Sequence, residues 1–508
     1  MKKIFALLLC LSLLAGCGNT AAPEPTAAPV RSETNVTGET VILLSDVGIS
    51  VNGSGETKQV FTSRDIIYYE DRDAYDSGNP YGEGKAWERH STAEAEAHTV
   101  VNITAPGTYR VSGKLSAGQL RIDLGEDACE DPNAVVTLIL ENADISCTVA
   151  PAILFLNTYE CDGGWDTDTA TPSVDTSAAG ANLILEGTNT VRGSHVAKIF
   201  KDKDGEKKLW KQDGAIYSYM SMNASGSGSL HLIADNEGIG TELHLTINGG
   251  NIRIDSDNDG INTNEDGVSV TTINDGNLQI HAGLGAEGDG IDSNGYLVIN
   301  GGTVVSAAKP VSDAGLDSDL GSFIHGGTVI ALGSTMDWAE SESGQVTMNL
   351  QFAQQQESGT SIEIRNLQGN VVFSWTPEYT EGLTRGFQGL ILSSPDLKQG
   401  ETYHLYVDGV QMQYTGSDVG FGAPGRGGRP DRKPGEMPVG MPFPEGEMPE
   451  GFDPTQMGPP PEGVPEGKSD GRGPHGARPR EDSAAGEART EFYMTDMVNA
   501  FSGLGPAE

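Results

Sequence analysis

The sequence predicts an all-β protein: a parallel β-helix closed by a small C-terminal β-subdomain. Three observations predict it. The segments "LTINGGNIRI", "TTINDGNLQI", "LVINGGTVVS" and "SFIHGGTVIA" align without gaps, placing Asn248, Asn274, Asn300 and His325 in register at steps of 26, 26 and 25. Each couples an alternating strand to a glycine turn and a second short strand. A four-stranded propeller blade needs about 40 residues, so this period suits one rung of a solenoid. A second motif falls between the first ones: "DGAIYSY", "NEGIGTE", "DGINTN", "DGIDSN" and "AGLDSD", with apolar anchors Ile216, Ile239, Ile261, Ile291 and Leu316. Two interleaved columns with one shared period mean that every rung repeats the same corners, anchors in the core and polar neighbours outside. Finally, 68 glycines against 6% aromatic residues suit tight repeated turns rather than a helical core.

The elements follow in chain order. In residues 1–17, Lys2 and Lys3 precede the apolar run Ile4 to Leu14, which is too short for a stable membrane span. Leu14-Ala15-Gly16-Cys17 resembles the bacterial lipobox, which implies a lipoprotein signal peptide and acylation of Cys17. A plain secretory signal with a stray cysteine is the alternative. Residues 18–40 ("GNTAAPEPTAAPV" and onward) read as a flexible tether. Residues 41–95 form an N-terminal cap with loops, and 96–335 the β-helix. Within it, 156–180 and the charged stretch 198–212 are loops off the solenoid. Residues 345–415 ("QVTMNLQF", "TSIEIRN", "TYHLYVD") alternate as ordinary strands and form the subdomain. Residues 420–489 are Pro, Gly, Met and charge ("GEMPVGMPFPEGEMPEGFDP"), with too little apolar surface to fold, and are expected to be a disordered insertion. Residues 490–504 turn apolar again and are expected to return as a terminal strand; a disordered end is the alternative.

Net charge is −40, from 72 acidic and 32 basic residues, which excludes nucleic acid as a partner. It suits an extracytoplasmic protein that binds cations. Cys129, Cys147 and Cys161 remain after the signal. Secretion permits one disulfide, with Cys147 and Cys161 the favoured pair and three buried thiols the alternative. A monomer is expected.

Aligned on the anchors, the motif yields an acidic column. Two residues before the anchor stand Glu237, Asp259 and Asp289; in the last rung the acid is Asp313, three before. One after stand Asn262, Asp292 and Asp317. Three after stand Glu242, Asn264, Asn294 and Asp319. Stacked at about 4.8 Å, like charges repel by roughly 3 kcal/mol per pair at an effective dielectric near 20. From Asp235 to Leu320 there are fifteen acids but two bases, Arg253 and Lys309, so the neutralising charge is expected from outside the protein. Carboxylates and amides without imidazole or thiolate select a hard cation, and Ca2+ accepts six to eight irregular oxygens. The alternative is a solvated acidic face whose aspartates support turns. "DSDNDGINTNED" (255–266) nearly fits the EF-hand loop, but strands flank it, Asn262 replaces the apolar residue after Gly260, and Asp266 stands where Glu is wanted.

"DGIDSNGYLVINGGTVV" and "AGLDSDLGSFIHGGTVIALGS" resemble the secreted clostridial-type carbohydrate-binding β-helix family, with "GTYRVSGKLSAGQLRID" and "LSSPDLKQGETYHLYVDG" resembling its terminal portions. The likeness spans roughly residues 96–415. It implies a right-handed, pectate-lyase-like solenoid similar to family 9 pectate lyases, calcium on the solenoid, and binding of plant-wall polysaccharides, including acidic ones. By this resemblance Asp259, Asn262, Asp289, Asp292, Asp313, Asp317 and Asp319 would be calcium ligands or their neighbours. Gly240 departs from the pattern, standing where other rungs have Asn or Asp.

Three functions fit. The first is a cell-surface, lipid-anchored protein that binds acidic polysaccharide through bound Ca2+. The regular rungs offer few aromatic platforms for neutral glucans (Tyr217, Tyr219, Tyr296 and Phe323). The second is a calcium-dependent pectate lyase, with Lys309, the lysine of the regular rungs, as candidate base. Lys309 reads equally as a turn lysine among acids. The third is a structural β-helix adhesin.

Overall fold

The computed structural model describes residues 38–69, 87–164, 167, 169–197, 199–201, 207–209, 211–310, 312–334, 338–357, 359–377, 386–417 and 487–507. The signal, Cys17 and most of the tether therefore lie outside the described residues, as does the 420–489 insertion except for its last three residues.

The described chain is almost entirely β. One sheet of nine strands runs in chain order from Val60–Ser63 to Leu316–Ser318. Its first pairing, Val60–Ser63 with Thr99–Ile103, is antiparallel; all later ones are parallel. The chain thus returns to the same ladder once per repeat. The five motif anchors fall on five consecutive strands, each in register with the next from Ile216 to Leu316.

A second parallel ladder links Ala181–Glu186, Met222–Gly226, the first halves of Leu245–Ser256 and Val270–His281, then Tyr296–Ile299 and Gly321–Ile324. A third links Thr188–Gly193, Ser229–Ala234, the second halves of those two long strands, then Thr303–Ala307 and Thr328–Gly333. The long strands bend between the ladders, where Gly250 and Gly276 take φ of +102° and +116°. That left-handed backbone is what the repeated glycine turn supplies.

All five anchors are fully buried, in one apolar cluster that runs through the rungs. Strand alternation sets the facing of the residues beyond them. The residue after the anchor faces out, but the next faces in: Thr241, Thr263 and Ser293 are fully buried and Ser318 nearly so. The Thr263 and Ser293 hydroxyls bond each other at 2.9 Å. The expectation that every polar neighbour lies outside the core is thereby corrected; one hydroxyl per rung stacks inside it.

The C-terminal strands cover the third ladder. Phe387–Ser393 pairs antiparallel with both Thr328–Gly333 and Thr347–Gln356. Val305, Ala307, Ile330 and Leu332 of the ladder share an apolar cluster with Leu350, Phe352 and Phe387. Val498–Pro506 runs parallel to Thr347–Gln356, and Phe492–Tyr493 pairs with Thr402–Val407.

Two further readings change. Cys129, Cys147 and Cys161 are all free thiols, so the Cys147–Cys161 bridge is not formed. Cys147 belongs to the fully packed core, while the other two are half-buried. The 198–212 stretch is no plain loop: Ile199–Lys201 and Lys207–Leu209 pair antiparallel.

Candidate functional site

The acidic column lies on the nine-stranded sheet. Register pairs Asn262 with Asp292 and Asp292 with Asp317, one residue past their anchors. These three form a row across successive rungs. The residues two before the anchors join it from the side. Asp289 N–H donates to Asp259 Oδ1 at 2.7 Å, and Ala314 N–H to Asp289 Oδ1 at 2.5 Å. Asn262 Nδ2 donates to Glu237 Oε1 at 2.9 Å and to Asp259 Oδ2 at 3.4 Å. Glu237, Asp259 and Asn262 are only 3%, 8% and 4% exposed.

The hydrogen bonds leave oxygens over. Glu237 Oε2, Asn262 Oδ1 and Asn264 Oδ1 are buried and accept from no donor. A buried acceptor without a partner costs about 1–3 kcal/mol. The charges are also costly. Burial pushes the Asp259 and Asp289 carboxyls well above the usual carboxylate range; Asp292 and Asp317 push both further, and Asp259 also acts on Asp289. Burial, then Asp213, raises Glu237 to about 8, and burial raises Glu242 to about 7.

Sequence reasoning missed two members of the site. Lys211 Nζ lies 2.8 Å from Asp213 Oδ2. Burial works against this ammonium, but Asp213, Glu237 and Glu242 outweigh it and hold the amine above its ordinary value. Some neutralising charge is therefore the protein's own. Asp213 was legible, since it stands three before Ile216 as Asp313 does before Leu316. Lys211 lies outside the repeat, and no spacing marks it.

The rung at Ile239 explains its own departure. A Cβ at Gly240 would meet the Tyr217 ring at 2.8 Å. The ring occupies the place a side chain would take, and the Tyr217 hydroxyl donates to Glu242. Tyr217 is fully buried and packs edge-on with Tyr219 at 5.4 Å; neither ring is an open platform.

The remaining candidates serve the turns. Asn264 Nδ2 donates to the Thr241 carbonyl at 3.1 Å, and Asn294 Nδ2 to the Asn264 carbonyl at 2.7 Å, so these two brace successive rungs. Asp313 Oδ2 accepts from Gly288 N–H at 3.0 Å and from the Ser312 hydroxyl; Ala314, not Asp313, continues the Asp259–Asp289 line. Asp319 is exposed at the end of its strand. Lys309 donates to the Gly285 carbonyl, as a turn lysine does. The EF-hand-like segment comes apart: Asp259 joins the column, whereas Asp255 belongs to the third ladder, bonded to His231 and His281.

A family model described as "Carbohydrate-binding domain-containing protein" matches residues 97–367, more than half of the chain and all of the column. The chain belongs to this carbohydrate-binding-domain family. A carbohydrate-binding domain-containing protein of Acetivibrio thermocellus is 28% identical to it over 155 residues, 30% of this chain and 44% of that one. The chain thus spans less than half of that relative's length. Among solved structures, the polysaccharide lyase-like protein from C. thermocellum, as a gadolinium derivative, aligns over 57% of this family member and 92% of its own chain, with 20% identity and a TM-score of 0.34.

Proposed function

We propose that this chain is a lipid-anchored, extracytoplasmic bacterial protein that binds acidic polysaccharide through Ca2+ held on a right-handed parallel β-helix. The observation that carries the reading is the set of buried, partnerless oxygens, Glu237 Oε2 and Asn262 Oδ1, beside the crowded carboxylates of Asp259 and Asp289. The donors fit a hard cation, being oxygen throughout with no imidazole or thiolate in the row. Among the described residues no three Asp, Glu, His or Cys side chains form a metal cage unaided. Amide and backbone oxygens would complete the shell, which suits calcium's high and irregular coordination. Glu237, Asp259, Asn262, Asp289, Asp292 and Asp317 are the residues that would hold it. Bound calcium would supply the positive charge that lets a strongly acidic protein accept a uronate carboxylate.

The protein's own amines favour binding over cleavage. Lys211 is held protonated by its acids, and Lys309 is engaged with a backbone carbonyl, so neither stands ready as a base. The test is retention on immobilised polygalacturonate with calcium or with chelator, alongside ultraviolet detection of unsaturated product. Retention that chelator abolishes, without product, is expected. Retention indifferent to chelator would sink the calcium reading. Product formation would replace it with the lyase, and a melting temperature that responds to calcium without any retention would leave the adhesin.

A further inference from the structure

A second face of the molecule has the opposite chemistry. The outward side of the second ladder floors a groove of about 580 Å³, roofed by residues 172–177. In a chain of net charge −40, its lining holds one carboxylate, Asp175, one imidazole, His325, and otherwise amides, hydroxyls and a few apolar side chains.

Two rows cross the floor. In one, Asn223, Thr246, Thr272 and Val298 are neighbours in register, followed by Phe323. In the other, Asn300 Nδ2 donates to Asn274 Oδ1 and Asn274 Nδ2 to Asn248 Oδ1, each at 2.8 Å. The chain of amides uses one N–H and one lone pair of Asn274. Its second N–H and remaining lone pair are uncommitted, because a primary amide carries two donors and two acceptor sites. All three side chains are exposed. The pattern therefore repeats a donor and an acceptor at the rung spacing of about 4.8 Å. The roof is pinned at one end, where the Thr176 hydroxyl bonds Asn223 Oδ1 at 2.8 Å and the Thr246 hydroxyl at 2.7 Å. At the other end Phe323 stacks on His325 at 6.3 Å, with Tyr296 6.1 Å away.

We propose that this groove binds a neutral polysaccharide chain laid across the rungs, separately from the acidic column. Sugar hydroxyls are donor and acceptor at once, as the amide row is, and their polymer repeats as the row repeats. The aromatic end offers an apolar face to a sugar ring. No cation is required, because neither partner carries the charge to need one.

The test titrates the full chain, in chelator, with cello-, xylo- and manno-hexaose by calorimetry. At least one binds. Thr272→Arg, which fills the floor, and Phe323→Ala each weaken it by about tenfold or more, with melting temperature unchanged. Asp289→Asn leaves the affinity as it was. Three hexaoses that all fail to bind, groove variants that bind like wild type, or loss of binding in Asp289→Asn would each overturn the proposal. Polygalacturonate with calcium, run in parallel, reports on the acidic column alone, so either site can fail without the other.

Discussion

Asp255 and Asp259 stand four residues apart under opposite electrostatic conditions. Burial would raise Asp255, but His231 Nε2 at 2.7 Å, His281 Nδ1 at 2.8 Å and Arg253 Nε at 3.0 Å donate to it and hold it well below the usual carboxylate range. Its contribution to stability is complete above the unfolded value near 4 and is lost as pH falls through the lower folded value. Asp255→Asn should therefore cost about 3 kcal/mol at neutral pH. The gap to wild type in urea unfolding should close as pH falls below about 4; a gap that widens in acid contradicts the assignment. Asp259 and its neighbour Asp289 have the reverse problem, since they face acids. Asp289→Asn keeps the acceptor for Ala314 N–H and removes one charge. In chelator it should stabilise the protein by roughly 2 kcal/mol, and in calcium it should erase most of the metal-dependent rise in melting temperature. A variant less stable than wild type in chelator would show that repulsion is not the dominant cost.

The rung is the element that repeats, and a glycine precedes four of the five anchors, with Ala215 before Ile216; three of these glycines lie tight against the next rung. A Cβ at Gly238 would lie 2.4 Å from the Gly260 carbonyl, one at Gly260 2.5 Å from that of Gly290, and one at Gly290 2.4 Å from that of Gly315. Each carbonyl accepts from the next backbone: Ile239 N–H bonds Gly260 O at 3.1 Å, and Ile261 N–H bonds Gly290 O at 3.2 Å. At these three glycines a methyl would have to displace the next rung's carbonyl and strain that ladder. Gly260→Ala should cost about 3 kcal/mol by chemical denaturation, far more than alanine costs at an exposed turn. This column also shows why part of the fold was legible. Gly-anchor pairs are short, local and fixed in spacing, so Asn262, Asp292 and Asp317 could be aligned from sequence and do pair in space. The inward hydroxyls of Thr263 and Ser293 were not, because their partners lie 8 or 30 residues away in the next turns of chain. Lys211 and the roof over the groove escaped for a related reason: both sit in insertions, where no period constrains the reading. The disulfide expectation failed because spacing in sequence says nothing of facing, and Cys147 faces the core.

At the scale of the whole molecule, the segment 418–486 leaves and re-enters at one place. Tyr414 pairs with Arg489, and Gly416 with Ser502. Its ends are held by the subdomain itself, so replacing residues 420–486 with a short Gly/Ser linker should leave the melting temperature within a few degrees; a large drop in calorimetry would assign those residues a packing role. The antiparallel strand Phe387–Ser393 has a larger consequence. Every rung presents to the next the same row of backbone donors and acceptors that it received, and nothing in that relation counts rungs or says when to stop. Reversed strand direction over Thr328–Gly333 removes the template at the end of the third ladder, and the antiparallel meeting of Val60–Ser63 with Thr99–Ile103 does so at the start of the nine-stranded sheet. A chain cut after residue 334 should expose the template and grow into thioflavin-positive fibrils, with a lag that seeding shortens. The molecule is in this respect a filament of fixed length, and its terminal strands are what keep it countable.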